Sequence, residues 1–147
     1  MRNLLLTLCA LFALSLPARA DSDTIREGDC WSYATRRGEE SSFVVIRKIT
    51  VLANGKVIAG ISLAGLKVKA PRVPGGVLTE VTYLPVEGEA LQKVLRKKLT
   101  HKTPAMAWEK EHAAWWENYG SKGQTGATAL PLDEVVKNLE LSLSSQR

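Results

Sequence analysis

The stretch "SFVVIRKITVLANGKVIAGISL", residues 42–63, decides the fold that this sequence predicts. Its first half is rich in β-branched residues, which favour strands. Asn54 and Gly55 follow, and both residue types tolerate the positive φ angles of a two-residue hairpin turn. An apolar run begins again at Val57 and would continue after a kink at Gly65. We therefore predict an antiparallel hairpin with a two-residue turn at Asn54-Gly55.

Two further strands flank this hairpin along the chain. "CWSYAT", residues 30–35, places Trp31 and Tyr33 at alternate positions, which is the spacing of one buried strand face. "VLTEVTYLPV", residues 77–86, predicts a fourth strand, and Pro85 confines that strand to an edge or to its own end because proline has no N–H to donate. The four strands would form an antiparallel meander sheet.

The spacing of apolar residues then becomes helical. A first helix is predicted by Leu91, Val94, Leu95 and Leu99. Thr103 and Pro104 predict the start of a second helix, as a cap and a first-turn proline, and Gly120 predicts its end. A third helix is predicted by Leu132, Val135, Val136, Leu139 and Leu143. The expected fold class is α+β, with a four-stranded antiparallel meander sheet followed by about three helices packed on one face.

The start of the chain has the pattern of a secretory signal peptide. "MRNLLLTLCALFALSLPARA", residues 1–20, has a basic start, an apolar run and an Ala-x-Ala end. The apolar run, about thirteen residues, is too short to span a bilayer, so no transmembrane anchor is expected. We predict cleavage before Asp21, a single mature α+β domain at 21–147, and a periplasmic location, with secretion from the cell as the alternative.

Charge and cysteine content narrow the function classes. The chain has 20 Lys and Arg against 15 Asp and Glu, and cleavage would remove Arg2 and Arg19, so the predicted mature charge is +3. The basic run "KVLRKKLTHK", residues 93–102, is interpreted as a solvated face, and export argues against nucleic acid as a partner. Cys30 would be the only mature cysteine, so no intramolecular disulfide can form, and we expect a buried thiol.

The stretch "WEKEHAAWWENYG", residues 108–120, concentrates aromatic residues. At 100° per residue, one helical stripe would carry Trp108, His112, Trp115 and Tyr119, with Trp116 at its margin and partly exposed. Core packing is the first interpretation of this stripe. A binding platform for a protein or a sugar, formed by Trp108, His112, Trp116 and Tyr119, is the second.

Other candidate groups are few. Arg36 and Arg37 lie in a polar stretch that is interpreted as a solvated turn, or else as a recognition loop. Cys30, His101 and His112 lack the matched spacing of metal ligands, so neither a metal nor a cofactor is expected.

Two resemblances bear on function. "EGDCWSYATRR", residues 27–37, resembles the cysteine segment of amidohydrolases and peptidases that cleave peptidoglycan, which implies Cys30 as a nucleophile. The stretches "WSYATRRGEESSFVVIRKI" and "GLKVKAPR", within residues 31–72, are similar to small exported bacterial proteins of undetermined function. This second resemblance implies a kind of domain and no site.

The predicted function is non-enzymatic, with no catalytic residue assigned. We expect a periplasmic binding protein that occludes another periplasmic protein, such as an immunity or inhibitor protein. The alternatives are a cysteine hydrolase that acts on cell-wall peptides through Cys30, and a glycan or small-ligand module that uses the aromatic residues at 108–119.

Overall fold

The computed structural model describes residues 24–146, so the predicted signal peptide at 1–20 lies outside the described residues. The strands and helices in chain order are β1 (Cys30–Tyr33), β2 (Phe43–Val51), β3 (Val57–Lys69), β4 (Val77–Glu87), α1 (Gly88–Val94), β5 (Leu95–Leu99), α2 (Glu109–Asn118), a short 3-10 helix (Gly120–Lys122) and α3 (Leu132–Ser145).

The strands form one antiparallel sheet in the order β4-β3-β2-β1-β5. The α+β class and the four predicted strands in meander order are confirmed. β4, which contains Pro85, lies at an edge as expected. The predicted number of strands was one too low, because β5 adds to the free side of β1 and places Leu99 opposite Cys30.

The predicted first helix is divided between α1 and β5. α1 contains Leu91 and Val94, whereas Leu95 and Leu99 lie in the strand. Residues four apart share one side of a strand as well as one side of a helix, so the spacing from Leu95 to Leu99 fits both structures. Pairing with β1, which no local pattern encodes, selects the strand.

The hairpin turn between β2 and β3 has three residues, 53–55, so the predicted two-residue turn was wrong. Leu52 N donates to Lys56 O at 2.8 Å, and Gly55 N donates to Leu52 O at 2.9 Å. Gly55 has a φ of 83°, and no non-glycine residue in the described range has a positive φ. A three-residue loop needs only one residue with a positive φ, so Asn54 keeps a negative φ. Its side-chain oxygen accepts from Lys56 N at 3.0 Å.

The predicted kink at Gly65 is confirmed. Gly65 has a φ of 73°, and the register between β3 and β4 shifts between Ala64 and Val68. Beyond the kink, Leu66 and Val68 are buried while Lys67 is exposed. The irregularity therefore places Leu66 and Val68 in the same core as Leu63, which precedes the kink.

Both faces of the sheet are covered, so the prediction that all helices pack on one face was wrong. In β3, Ala59 and Ile61 belong to the core formed with α1 and α3, whereas Ile58 packs with Leu52 and Trp115 of α2. Neighbouring residues of a strand point to opposite faces, so α1 and α3 cover one face and α2 covers the other. The physical reason is that β3 is apolar on both faces and needs a cover on each.

α2 begins at Glu109, later than the predicted start at Thr103 and Pro104. Thr103 Oγ1 donates to Gly28 O at 2.9 Å, and Pro104 O accepts from Arg47 Nη2 at 2.8 Å. These tertiary hydrogen bonds hold the segment that precedes α2 against the sheet. This segment therefore does not form the first turn of a helix.

The predicted end near Gly120 agrees with the structure, because α2 ends at Asn118 and a separate short 3-10 helix follows from Gly120 to Lys122. Gly123 has a φ of 70°, its N–H donates to Gly120 O at 3.0 Å, and Gln124 N donates to Tyr119 O at 3.0 Å. This is the Schellman pattern of a helix end, with Gly123 as its left-handed residue. The prediction of α3 is confirmed at Leu132–Ser145. Among residues 24–146, no helix is long and apolar enough to cross a membrane.

Candidate functional site

Trp115 is the buried member of the aromatic cluster on α2. It is 5% exposed and packs against Leu52 and Ile58 on the sheet. Its indole N–H donates to Thr125 O at 2.7 Å, so the one polar atom of the side chain is satisfied. For this residue the structure supports the core interpretation.

His112 lies at the centre of the cluster. Its ring centroid is 5.6 Å from that of Tyr83, 6.0 Å from that of Trp108 and 5.6 Å from that of Trp115. Its Nδ1 is hydrogen-bonded to Tyr83 Oη at 2.9 Å. Burial raises the pKa of Tyr83 to about 12, while burial and the charge of Lys48 lower the pKa of His112. At neutral pH the pair is therefore an uncharged link between β4 and α2.

Trp116 and Tyr119 form the exposed part of the cluster, at 45% and 44% exposure. Each ring rests on a glycine: a Cβ at Gly120 would lie 2.5 Å from Trp116 Cε3, and a Cβ at Gly126 would collide with Tyr119 Cγ. Both rings are thus backed by main chain on one side while much of their surface meets solvent. The partial exposure expected of Trp116 is confirmed.

Tyr119 does not belong to a buried stripe. It follows the last residue of α2 and has φ and ψ angles of −132° and −61°, which are not helical. Helical spacing of 100° per residue therefore does not place its side chain. Trp108 and His112, which lie before this break, are half-buried.

Arg36 is engaged in an ion-pair network. Its Nε lies 2.5 Å from Glu39 Oε1, and its Nη1 lies 3.3 Å from Glu140 Oε1 of α3. Glu39 is buried, and its other oxygen accepts from Lys67 N at 2.6 Å. These contacts raise the pKa of Arg36. Arg36 therefore ties the β1–β2 loop to α3 and β3, whereas Arg37 is exposed.

The structure does not bring the two groups of predicted binding residues into one site. Arg36 contacts α3, which covers one face of the sheet. Trp108, His112, Trp116 and Tyr119 lie on or beside α2, which covers the other face. The aromatic group is the candidate site.

Cys30 is 2% exposed within β1. Burial raises the pKa of its thiol, and this effect outweighs Thr103 and Arg47, which lower that pKa. His101 lies against the Phe43 ring at 4.9 Å between centroids, and His112 is bonded to Tyr83. The thiol is therefore neither accessible nor paired with either histidine in the described chain.

Sequence reasoning missed Arg47 and Tyr83. Arg47 is 9% exposed, its Nε donates to Ser62 Oγ at 2.8 Å, and burial lowers its pKa. An arginine inside an apolar run was the available signal. Tyr83 gave no signal, because its partner His112 lies 29 residues away along the chain.

Within the part of the chain that the structure covers, no three His, Cys, Asp or Glu side chains are grouped so that they could hold a metal ion. Comparison with known proteins finds no matching family model, no matching curated protein and no matching solved structure.

Proposed function

We propose that this protein is exported to the periplasm and acts there as a non-enzymatic binding protein that occludes another protein. An immunity protein for a delivered toxin and an inhibitor of a wall-degrading enzyme both fit this description. Export is supported by residues 1–20, which have the sequence of a signal peptide.

The exposed pair Trp116 and Tyr119 carries the proposal. Each is a large aromatic residue that is almost half exposed. Each ring is also backed by a glycine, at Gly120 or Gly126. The ring is therefore held in place before binding, and little side-chain conformational entropy would be lost when a partner binds. Tryptophan and tyrosine are enriched among the residues that dominate protein interfaces.

The surroundings of Cys30 support a non-enzymatic role. A nucleophilic cysteine needs an accessible thiolate and a base to take its proton. Cys30 has a buried thiol with a raised pKa, in a strand and without a histidine partner in the described chain.

A glycan-binding module is the second candidate, because exposed indole and phenol rings can also stack on sugar rings. The same two residues favour it, since Trp116 and Tyr119 both lie at the C-terminal end of α2.

The experiment is capture from periplasmic extract by the immobilised, exported protein. The wild type should retain a protein that a Trp116→Ala/Tyr119→Ala variant binds about thirtyfold more weakly or worse, since truncating an interface anchor of this kind costs about 2 kcal/mol or more. Asn118→Ala changes an exposed residue that lies between the two in sequence. It is the matched control and should capture like the wild type.

Sedimentation with purified peptidoglycan separates the two candidates. If the wild type pellets with peptidoglycan and the double variant does not, the protein is a glycan-binding module. Equal capture of protein by the double variant and the wild type would contradict the proposed site.

A further inference from the structure

The two edges of the sheet are unlike. β5 carries exposed Arg96, Lys97 and Lys98, and such charges discourage the pairing of another strand. On the opposite edge, the stretch of β4 from Val77 to Tyr83 has no outer strand partner among residues 24–146, and Glu80 is its one charged residue. This edge lacks the protection that β5 has.

A groove of about 620 Å³ runs along the open edge. One wall is apolar and consists of Leu78, Val81 and Leu139. Leu78 and Val81 are paired with residues of the α3-side core, at Val68 and Leu63, and Leu139 belongs to α3. The three side chains therefore line the face of the groove that α3 covers.

The other wall is acidic. Glu80 pairs with Ala64, whose side chain points to the α2 face, and Glu111 of α2 lines the same groove. Glu111 Oε2 accepts from Thr82 Oγ1 at 2.7 Å, which fixes the carboxylate beside the strand. The chain as a whole is positive, at +5, so this acidic wall is a local feature.

The far end of the same edge already pairs with an extended segment. Thr128 N donates to Pro85 O at 3.0 Å, and Glu87 N donates to Thr128 O at 2.9 Å, in a parallel bridge. The outer backbone groups of β4 therefore accept an added chain, and the stretch from Val77 to Tyr83 continues that edge.

We propose that the open edge of β4 binds an extended segment of the partner protein by strand addition, and that this segment alternates basic and apolar residues. Side chains of an added strand alternate between the two faces of the sheet. Basic residues would face Glu80 and Glu111, and apolar residues would face Leu139. The inference rests on the proposed function, because it assigns the way in which the partner is held.

The probe is a short synthetic peptide of alternating lysine and valine, titrated against the whole protein. It should bind and slow the hydrogen exchange of amides between Val77 and Tyr83. The peptide with glutamate in place of lysine should not bind, because the wall is acidic. The peptide with every backbone nitrogen methylated should not bind either, since it has no N–H to donate to the strand in either direction.

A pair of neutral variants tests the acidic wall. Glu80→Gln/Glu111→Gln removes both charges, keeps an oxygen to accept from Thr82, and should weaken lysine–valine binding about tenfold or more. Glu117→Gln makes the same kind of change on the exposed C-terminal end of α2 and should leave binding unchanged.

Three results would overturn strand addition: no binding at any soluble concentration, binding without protection of β4, or equal weakening by Glu117→Gln. If any of them occurs while capture still depends on Trp116 and Tyr119, the occluding function stands without strand addition. If the peptide binds as expected but no protein is captured, the occluding function fails and the peptide-binding edge remains.

Discussion

Trp115 and Trp116 are adjacent in sequence but lie in opposite environments. Trp115 is 5% exposed and contacts the sheet, whereas Trp116 is 45% exposed. Their ring centroids are 6.3 Å apart, so the two residues belong to one cluster. At the scale of the residue, the buried Trp115 therefore stabilises the fold, whereas the exposed ring of Trp116 is accessible to a partner.

Truncation of the two tryptophans should have unequal costs. Trp115→Ala should lower the free energy of unfolding by about 3–5 kcal/mol, the range for emptying a large buried aromatic site. Trp116→Ala should lower it by much less, because its ring keeps substantial contact with water in the folded state. Denaturant unfolding of both variants measures the difference.

Trp115→Phe is the control for a variant that fails to fold. It keeps a ring against Leu52 and Ile58 and loses the bond to Thr125 O, so its cost should fall between those of the two alanine variants. Equal unfolding midpoints for Trp115→Ala and the wild type would disprove the core role of Trp115.

At the scale of the element, the loop that follows α2 positions the exposed rings. Gly123 and Gly126 both have a positive φ, at 70° and 47°. A Cβ at Gly123 would meet nothing within 4 Å, whereas one at Gly126 would meet Cγ and Cβ of Tyr119. These Tyr119 atoms are at the base of the side chain, so they cannot move aside without moving the end of α2.

Alanine substitution should distinguish the two glycines. Gly123→Ala should cost about 1–2 kcal/mol, the strain of a left-handed alanine. Gly126→Ala should cost about 1–3 kcal/mol more, because of the added collision with Tyr119. Thermal unfolding of the two variants measures both effects, and a Gly126→Ala variant as stable as Gly123→Ala would show that Tyr119 is not packed on this loop.

At the scale of the whole molecule, one sheet supports two cores. β3 contributes Ala59, Ile61 and Leu63 to the core with α1 and α3, and Ile58 to the core with α2. If β3 leaves the sheet, both cores lose the side chains that this strand contributes. The two faces should therefore unfold together.

Coincident unfolding transitions check this expectation. Trp31 lies in the α3-side core, so a Trp31→Phe variant leaves Trp108, Trp115 and Trp116 to report on the α2 side by fluorescence. Its fluorescence and far-ultraviolet circular dichroism should give the same denaturant midpoint, as a two-state transition requires. A fluorescence midpoint at lower denaturant would mean that α2 detaches before the sheet unfolds.

Local sequence determined much of this fold. Alternating aromatic residues predict β1, and β-branched residues predict the strands after it. Gly65 predicts the kink in β3, Pro85 predicts an edge position for β4 or a place at its end, and apolar spacing predicts α3. It also identified the aromatic stretch and the partial exposure of Trp116. These features depend on periodicity, or on the allowed φ angles of single residues, both of which are local properties.

Tertiary structure decided the rest. Leu95 and Leu99 join a strand because β1 has a free edge. Thr103 caps no helix because its hydroxyl donates to Gly28 O. Arg36 forms an ion pair because Glu140 of α3 lies beside it. The acidic wall of the groove forms only because the fold brings Glu80 of β4 and Glu111 of α2 together. A local pattern specifies which side of an element is apolar, whereas the partner that covers that side depends on residues far away in the chain.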